Sequence, residues 1–270
     1  MAGITALVTE VIFLLLALYS IYTLVKRKEK HNIILFFSLI AYGMALELTT
    51  VHLTRGYRYT DFLLMIGNVP LWIGCMWAVL IYTTMRITDL LGLPGHIKPI
   101  ADAVLVASVD VAIDPVAISM GLWQWGIPGN WFGVPYANYF GWFNAVFIFS
   151  VIWRGSDYYF ERMKKIIPKR AIHYIHAMVT IVLATIVLSI SLLVYYLNLS
   201  LRIQEILLAG MYVGSWALIA LYYPRFNLRN RLDFHLIIPV GVVLCYFFIG
   251  IIIVEGLGIL CYREESHRKR

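Results

Sequence analysis

Charged side chains are scarce in this sequence. They make up 14% of its 270 residues, whereas hydrophobic residues make up 61% and the mean hydropathy is +0.79. A soluble domain typically carries about 25% charged residues, so the composition excludes an ordinary soluble fold. We therefore expect an integral membrane protein, built from spans of roughly 20 mostly apolar residues that satisfy their own backbone hydrogen bonds.

Cysteine and the familiar catalytic motifs are also scarce. Three scattered cysteines without C-x-x-C spacing exclude a disulfide framework and a zinc site. The sequence has no nucleotide-binding glycine loop, no G-x-S-x-G and no H-E-x-x-H. Of seven histidines only His173 and His176 have helical ligand spacing, and we expect them to be solvated or to pack beside a loop. We therefore expect no metal site.

Long apolar runs dominate the rest of the chain and predict an all-α, polytopic transmembrane bundle. We predict one integral membrane domain over residues 1–270, a multi-pass protein of the cell membrane with seven spans as the alternative to eight. The net charge of +7 lies mostly in short clusters between the runs, which favours a topological role over nucleic-acid binding. The eight candidate spans are residues 4–25, 33–53, 62–85, 98–119, 136–153, 171–197, 203–223 and 233–256.

Of the acids within these apolar runs, Glu47, Asp110 and Asp114 are the first functional candidates, because charge is costly at membrane depth. Asp110 and Asp114 are four residues apart, hence on one helix face, and two close carboxyl groups in a low dielectric cannot both ionise easily. One would keep its proton, as a general acid requires. Glu47 is the third acid, and the positive-inside rule places it near Asp114 on the outer side.

Each acid also has a purely structural interpretation. Asp114 precedes a proline and is a candidate N-cap of a short helix that would start where the fourth span breaks. Asp110 is a candidate ion-pair partner of Arg55 or Arg58. Glu47 is a candidate for a lipid-interface or ion-paired carboxylate. These alternatives stay open from the sequence alone.

Four tryptophans follow the paired acids. Indole rings are common at the membrane interface, and an indole face also stabilises a nearby cation by about 2 kcal/mol when desolvated. Acids beside indoles favour carbocation chemistry, in which an acid protonates a trisubstituted alkene and water adds to the tertiary cation. The four are Trp123, Trp125, Trp131 and Trp142.

Two other interpretations of the same residues remain. Asp110-x-x-x-Asp114 has the spacing to hold magnesium and a diphosphate, as in membrane prenyltransferases, although no second Asn- and Asp-rich motif is present. A non-catalytic carrier of polyisoprenoid lipids would use the acids and indoles only to recognise an end group.

The block from Asp110 to Trp142, with D-x-x-x-DP, GLWQW, GVP, Asn138 and GW, resembles the membrane carotenoid biosynthesis proteins. That family includes archaeal bisanhydrobacterioruberin hydratase and bacterial lycopene and γ-carotene hydratases. Glu47, GYRY at residues 56–59 and NVPLW at residues 68–72 are also similar, so the resemblance covers about residues 45–145. It implies water addition to the terminal (C1,2) isopropylidene double bond of an acyclic carotenoid.

On that basis we assign each candidate residue a role as a hypothesis. We expect Asp110 to protonate the alkene, Asp114 to tune the pKa of Asp110 or to hold water, and Glu47 to act as base toward that water. The alternative is that Asp114 is the proton donor. The four tryptophans flank the cation, and the side chains expected to order water or line the entrance are Tyr57, Tyr59 and Asn138. The chemistry needs no cofactor, and the expected partners are a lipophilic carotenoid or other acyclic isoprenoid and membrane lipid.

Overall fold

The computed structural model of the chain describes residues 2–54, 56–163, 169–222 and 238–246. It is all-α apart from short strands, which confirms the predicted fold class. Residues 238–246 are also helical, and Tyr246 packs edge-on against Phe13 of the first helix. The rest of the predicted eighth span lies outside the described residues. The long helices are α1 Ala2–Lys26, α2 Lys30–Thr54, α3 Leu71–Leu90, α4 Lys98–Ser119, α5 Tyr136–Met163, α6 Lys169–Asn198 and α7 Leu201–Tyr222.

Among the described residues, five helices are long and apolar enough to cross a membrane: α1, α2, α3, α6 and α7. In the most apolar stretch of α3, 83% of the residues are buried, whereas in that of α7 only 6% are. The first therefore lies at the centre of the bundle and the second at its edge. Helix α3 packs against α1, α2 and α4, and α7 packs against α4 and α5.

The loop between α2 and α3 corrects one predicted boundary. Residues 62–70 were expected to begin the third span, but they contain β2 Met65–Ile66 and β3 Val69–Pro70, paired as an antiparallel hairpin. Gly67 has a positive φ of 58°, which permits the tight turn. The backbone N–H groups of Leu63 and Leu64 donate to the Glu10 carboxylate of α1 at 2.8 and 2.7 Å, which holds this apolar segment outside a helix.

A second ladder ties together two distant loops. Strand β1, Tyr57–Tyr59, pairs antiparallel with β4, Trp123–Trp125. Because side chains alternate along a strand, Tyr57 and Tyr59 face one side and Arg58 faces the other. Arg58 donates to the Gln124 side chain at 3.0 Å on the exposed side. The ladder therefore turns both tyrosine rings toward the bundle.

Helix α4 runs without interruption through Pro115, which corrects the N-cap interpretation of Asp114. An internal proline removes one backbone hydrogen bond, a cost that tertiary packing offsets here since Ile113, Val116 and Ala117 are buried. The continuous helix keeps Asp110 and Asp114 on one face.

At the end of the bundle where α3 leads into α4, the buried Asp102 and the half-buried Asp89 form ion pairs with basic side chains. Arg154 contacts Asp102 at 3.0 Å and Asp89 at 2.7 Å, and Lys98 contacts Asp89 at 2.8 Å. Asp102 also accepts hydrogen bonds from the Thr88 and Ser150 hydroxyls at 2.5 and 2.6 Å. We refer to Asp89, Lys98, Asp102 and Arg154 as the ion cluster.

The His173 and His176 pair packs within the bundle. His176 is buried, its ring stacks on Trp153 with centroids 4.1 Å apart, and it hydrogen-bonds the Ser156 hydroxyl at 2.7 Å. His173 lies edge-on to His31. This is the packing role expected of the pair, although it joins helices and does not involve a loop.

Candidate active site

Asp110 and Asp114 form an acid pair on the inner face of α4, with exposed fractions of only 0% and 2%. Both accept a hydrogen bond from one amide nitrogen, Asn138 Nδ2 of α5, at 3.1 Å to Asp110 and 2.5 Å to Asp114. The other oxygen of Asp110, Oδ1, has no donor within hydrogen-bonding distance among the described groups. One neutral amide therefore bridges two carboxyl groups, and one acid oxygen has no donor of its own.

No described cation contacts this acid pair. Arg58 donates to Gln124 instead, so the predicted ion pair between Asp110 and Arg58 is wrong. The other predicted partner, Arg55, lies outside the described residues. The two aspartates hydrogen-bond with each other and with Asn138, and the groups that interact with them electrostatically are Glu47 and nearby tyrosines, none of which is a cation. Two close carboxyl groups without a counter-ion cannot both ionise easily, so the site has a physical reason to retain a proton.

Glu47 of α2 is 5% exposed and is held by three donors from two elements. The Trp77 indole N–H donates to its Oε1 at 2.8 Å, and the Tyr59 hydroxyl donates to its Oε2 at 2.7 Å. The Tyr57 hydroxyl donates to the same Oε2. This arrangement differs from the lipid-interface and ion-paired interpretations, since the described partners of Glu47 are neutral and lie within the bundle.

The two tyrosines remain donors over the ordinary pH range. Burial, followed by the neighbouring Glu47 carboxylate, raises the pKa of Tyr57 and of Tyr59 well above the usual value for a phenol. Both hydroxyls therefore keep their protons and fix the orientation of the Glu47 carboxylate. Asp114 also acts electrostatically on both tyrosines, which links the Glu47 network to the acid pair.

Close helix packing positions Trp77. A side chain at Gly43 of α2 would place its Cβ only 2.7 Å from the Trp77 Cβ, so the glycine lets α3 approach one turn below Glu47. The Trp77 ring then stacks on Trp142 of α5, with centroids 4.1 Å apart and planes 27° from parallel. Two indoles from different helices thus form one wall beside the acid.

A compartment of about 40 Å³ adjoins Glu47. This volume is enough for a water molecule, which needs at least roughly 10–15 Å³ and two or more polar partners. Glu47, Tyr57 and Asn138 supply polar atoms, and indoles and aliphatic groups supply the rest. We call this space the aromatic compartment; its aromatic lining is Tyr57, Trp77, Trp125 and Trp142.

The four tryptophans expected to flank a cation are distributed over three places. Trp125 and Trp142 line the aromatic compartment, and Trp125 also packs on Tyr57 with centroids 4.8 Å apart. Trp123 lies behind it, against Tyr59 and Trp72. Trp131 is partly exposed and packs on Phe132. The structure therefore brings two of the four together at Glu47.

Sequence reasoning missed Trp77, which lies in the middle of an otherwise apolar span. A signal was available, since a buried indole N–H usually requires an acceptor and the chain has few intramembrane acids. Asp102 was missed for a similar reason. It lies close to the predicted start of its span, and its partner Arg154 reads in the sequence as one more basic residue at a helix end.

Within the described ranges, no group of three or more His, Cys, Asp and Glu side chains is arranged to hold a metal ion. At the acid pair, the group that faces both aspartates is the amide nitrogen of Asn138, a donor and not a ligand. The donor set thus fits a hydrogen-bonded acid pair better than the magnesium and diphosphate interpretation.

The fold and the site together define a helical membrane protein whose acids are buried beside aromatic side chains. The part of the chain that matches a known protein family extends well beyond that site. The chain belongs to the carotenoid biosynthesis protein family, which it matches over residues 6–219. The resemblance stated for residues 45–145 is thereby confirmed and extended into α7. Comparison with curated proteins returns no match, and comparison with solved structures returns none either.

Proposed function

We propose that this protein is a carotenoid hydratase that adds water to the terminal (C1,2) double bond of an acyclic carotenoid. The observation that carries the proposal is the buried acid pair, which shares one amide and has no described counter-ion. Membership of the carotenoid biosynthesis family supports a lipophilic isoprenoid substrate, and the apolar helices support a multi-pass protein, which we place in the cell membrane.

Asp110 is the proposed acid. Its proton goes to the less substituted alkene carbon, the π electrons form the new C–H bond, and a tertiary cation remains on the other carbon. The reaction needs no redox partner, because water supplies the hydroxyl group and its second proton replaces the one that Asp110 gave up. Asn138 holds both carboxyl groups in place by donating to each, and Asp114 shares the proton with Asp110.

Glu47 and the aromatic compartment are proposed to serve the second half of the reaction. A water molecule in the compartment has Glu47 and Asn138 as polar partners, so it is positioned to attack the cation and to pass a proton to the carboxylate. The stacked Trp77 and Trp142 rings, with Trp125, provide π faces that stabilise a cation. Return of that proton from Glu47 to Asp110 completes the cycle.

The proposal is tested by expressing the protein in a host that accumulates lycopene and analysing the pigments by mass spectrometry. We expect products heavier by one or two waters. The matched variants are Asp110→Asn, which should give no hydrated product, and Asp61→Asn, an exposed loop carboxyl group that should leave the yield unchanged.

Well-folded protein that hydrates neither lycopene nor bisanhydrobacterioruberin would overturn the proposal. Pigment that copurifies with the protein but is recovered chemically unchanged would instead identify a carrier. Full activity of Asp110→Asn would remove the acid assignment while leaving the reaction class intact.

A further inference from the structure

A second, much larger cavity lies between α4, α5 and α7. Its volume is about 590 Å³, within the roughly 300–1,000 Å³ typical of small-molecule sites. Val111 contributes from α4, Tyr139 from α5, and Ala209 and Tyr212 from α7, and apart from Glu205 the lining side chains are aliphatic or aromatic. We call this space the chamber. Its lining favours an apolar occupant.

The chamber opens at the edge of the bundle. Its α7 wall includes Glu205 and Ala209, both of which remain exposed, and only Ser215 and Ile219 of that helix are buried. Because α7 is apolar and long enough to span a membrane, its exposed side is the one that would meet lipid, and the chamber opens on that side. A lipid-soluble molecule therefore reaches the chamber sideways, without passing through water.

The inner wall of the chamber leads to the acid pair. Val111 directly follows Asp110, and Tyr139 directly follows Asn138, whose amide bridges the two aspartates. Tyr139 is 2% exposed, and Asp110 and Asp114 act on it electrostatically. The two acids line neither space, but their neighbours do, since Tyr139 lines the chamber and Asn138 lines the aromatic compartment.

Tyr139 has one unusual feature. Its hydroxyl is buried and finds no hydrogen-bond partner among the described groups. Leaving a buried hydroxyl unpaired is costly, so such groups are rare unless a ligand or water completes them. The alkene of an unreacted end group offers this hydroxyl its π electrons as a weak acceptor, and the tertiary alcohol formed from it supplies a full acceptor and donor at the same place.

We propose that the chamber binds the apolar chain of an acyclic isoprenoid, which enters from the bilayer past α7, and that Tyr139 positions its end group beside Asp110. This inference rests on the hydratase function proposed above and adds where the chain lies and how it arrives. Tyr139 is a positioning residue, whereas Asp110 remains the acid.

The test fills the chamber and measures binding separately from turnover. Purified protein in phospholipid nanodiscs is loaded with lycopene, and the pigment retained per protein above the amount held by protein-free nanodiscs is read from its absorbance. Ala209→Phe should lower retention about tenfold, and Val111→Phe, from the opposite wall, should do the same. The matched control is Ala217→Phe, an exposed alanine of the same helix that does not line the chamber and should leave retention unchanged.

Tyr139→Phe separates positioning from packing. We expect lycopene retention to stay within about twofold of the wild-type value while kcat for hydration falls about tenfold and KM changes little. An unchanged kcat would show that the ring only fills space, and an equal loss of binding and turnover would show that the hydroxyl serves binding and not positioning; either result would overturn the role of Tyr139.

The outcomes distinguish this inference from the proposed function. If wild-type protein retains lycopene without hydrating it, the hydratase proposal fails, yet Ala209→Phe should still lower retention. If hydration occurs but both filling variants retain lycopene as well as Ala217→Phe does, the chamber is not the binding site. If the chamber-filling variants lost bound phospholipid but retained lycopene, the chamber would be a phospholipid site and the inference would be overturned.

Discussion

At one end of the bundle Asp102 and Asp89 are bound by Arg154 and Lys98, whereas toward the other end Asp110 and Asp114 share a neutral amide. Asp89 lies on α3, and the other three acids lie on α4. Cations and hydroxyl donors stabilise the charged form of Asp102. The acid pair has no described cation, so it has a physical reason to retain a proton. Under the proposed function, the same residue type serves structure at one end and chemistry at the other.

The largest expected effect comes from exchanging each acid for its amide. Asp110→Asn should lower hydration by roughly 10²–10⁴-fold, the range for loss of a general acid, because an amide cannot supply the proton. Thermal stability should be unchanged or slightly higher, since an uncompensated carboxyl group has been removed. Hydration assays and melting in detergent on the same preparation check both halves of this prediction.

Asp102→Asn should show the reverse pattern. Removing one partner of a buried ion pair costs about 3 kcal/mol, because Arg154 loses its fully buried counter-ion. We expect a clear fall in melting temperature, with the activity of the folded fraction close to wild type. If Asp102→Asn kept its melting temperature and lost its activity, the assignment of stability to the ion cluster and of catalysis to the acid pair would be wrong.

A smaller loss of activity is expected for Glu47→Gln. The amide keeps the size of the side chain but presents a poorer base, and its NH₂ group faces donors that now lack an acceptor. Hydration should fall about a hundredfold, within the usual contribution of a general base. A rate within a few fold of wild type would mean that water is deprotonated elsewhere, with Asp114 the nearest alternative.

The smallest effect compares two buried tryptophans of α3. Trp77→Phe removes the indole donor to Glu47, a hydrogen bond to a charged group worth about 1.5–3 kcal/mol, so we expect activity to fall about tenfold. Trp72→Phe is the control, because the Trp72 indole N–H has no described hydrogen-bond partner. Kinetics of the two variants at matched expression should separate them. An equal loss in both would attribute the effect to packing.

Much of this arrangement is readable from the sequence, and the exceptions have physical causes. Composition and apolar runs predict the helical bundle, and the four-residue spacing of Asp110 and Asp114 predicts their common face. The apolar residues before Leu71 mislead, because hydropathy does not register the Glu10 carboxylate that binds the backbone of Leu63 and Leu64.

Long-range pairing accounts for the parts of the site that the sequence did not reveal. Asn138 was expected only to order water or line an entrance, whereas it joins the two aspartates across α4 and α5. Trp77 reaches Glu47 only because Gly43 lets α2 and α3 come close. Neither contact follows from periodicity, since each depends on how two helices pack.

The central claim is that the acid pair donates a proton to a carbon atom, and hydration of lycopene by purified protein in D₂O tests it most directly. Wild-type protein should give a product heavier by one water that carries one carbon-bound deuterium beside the new alcohol, and Asp110→Asn should give none. A wild-type product without carbon-bound deuterium, or an equally labelled product from Asp110→Asn, would contradict the account.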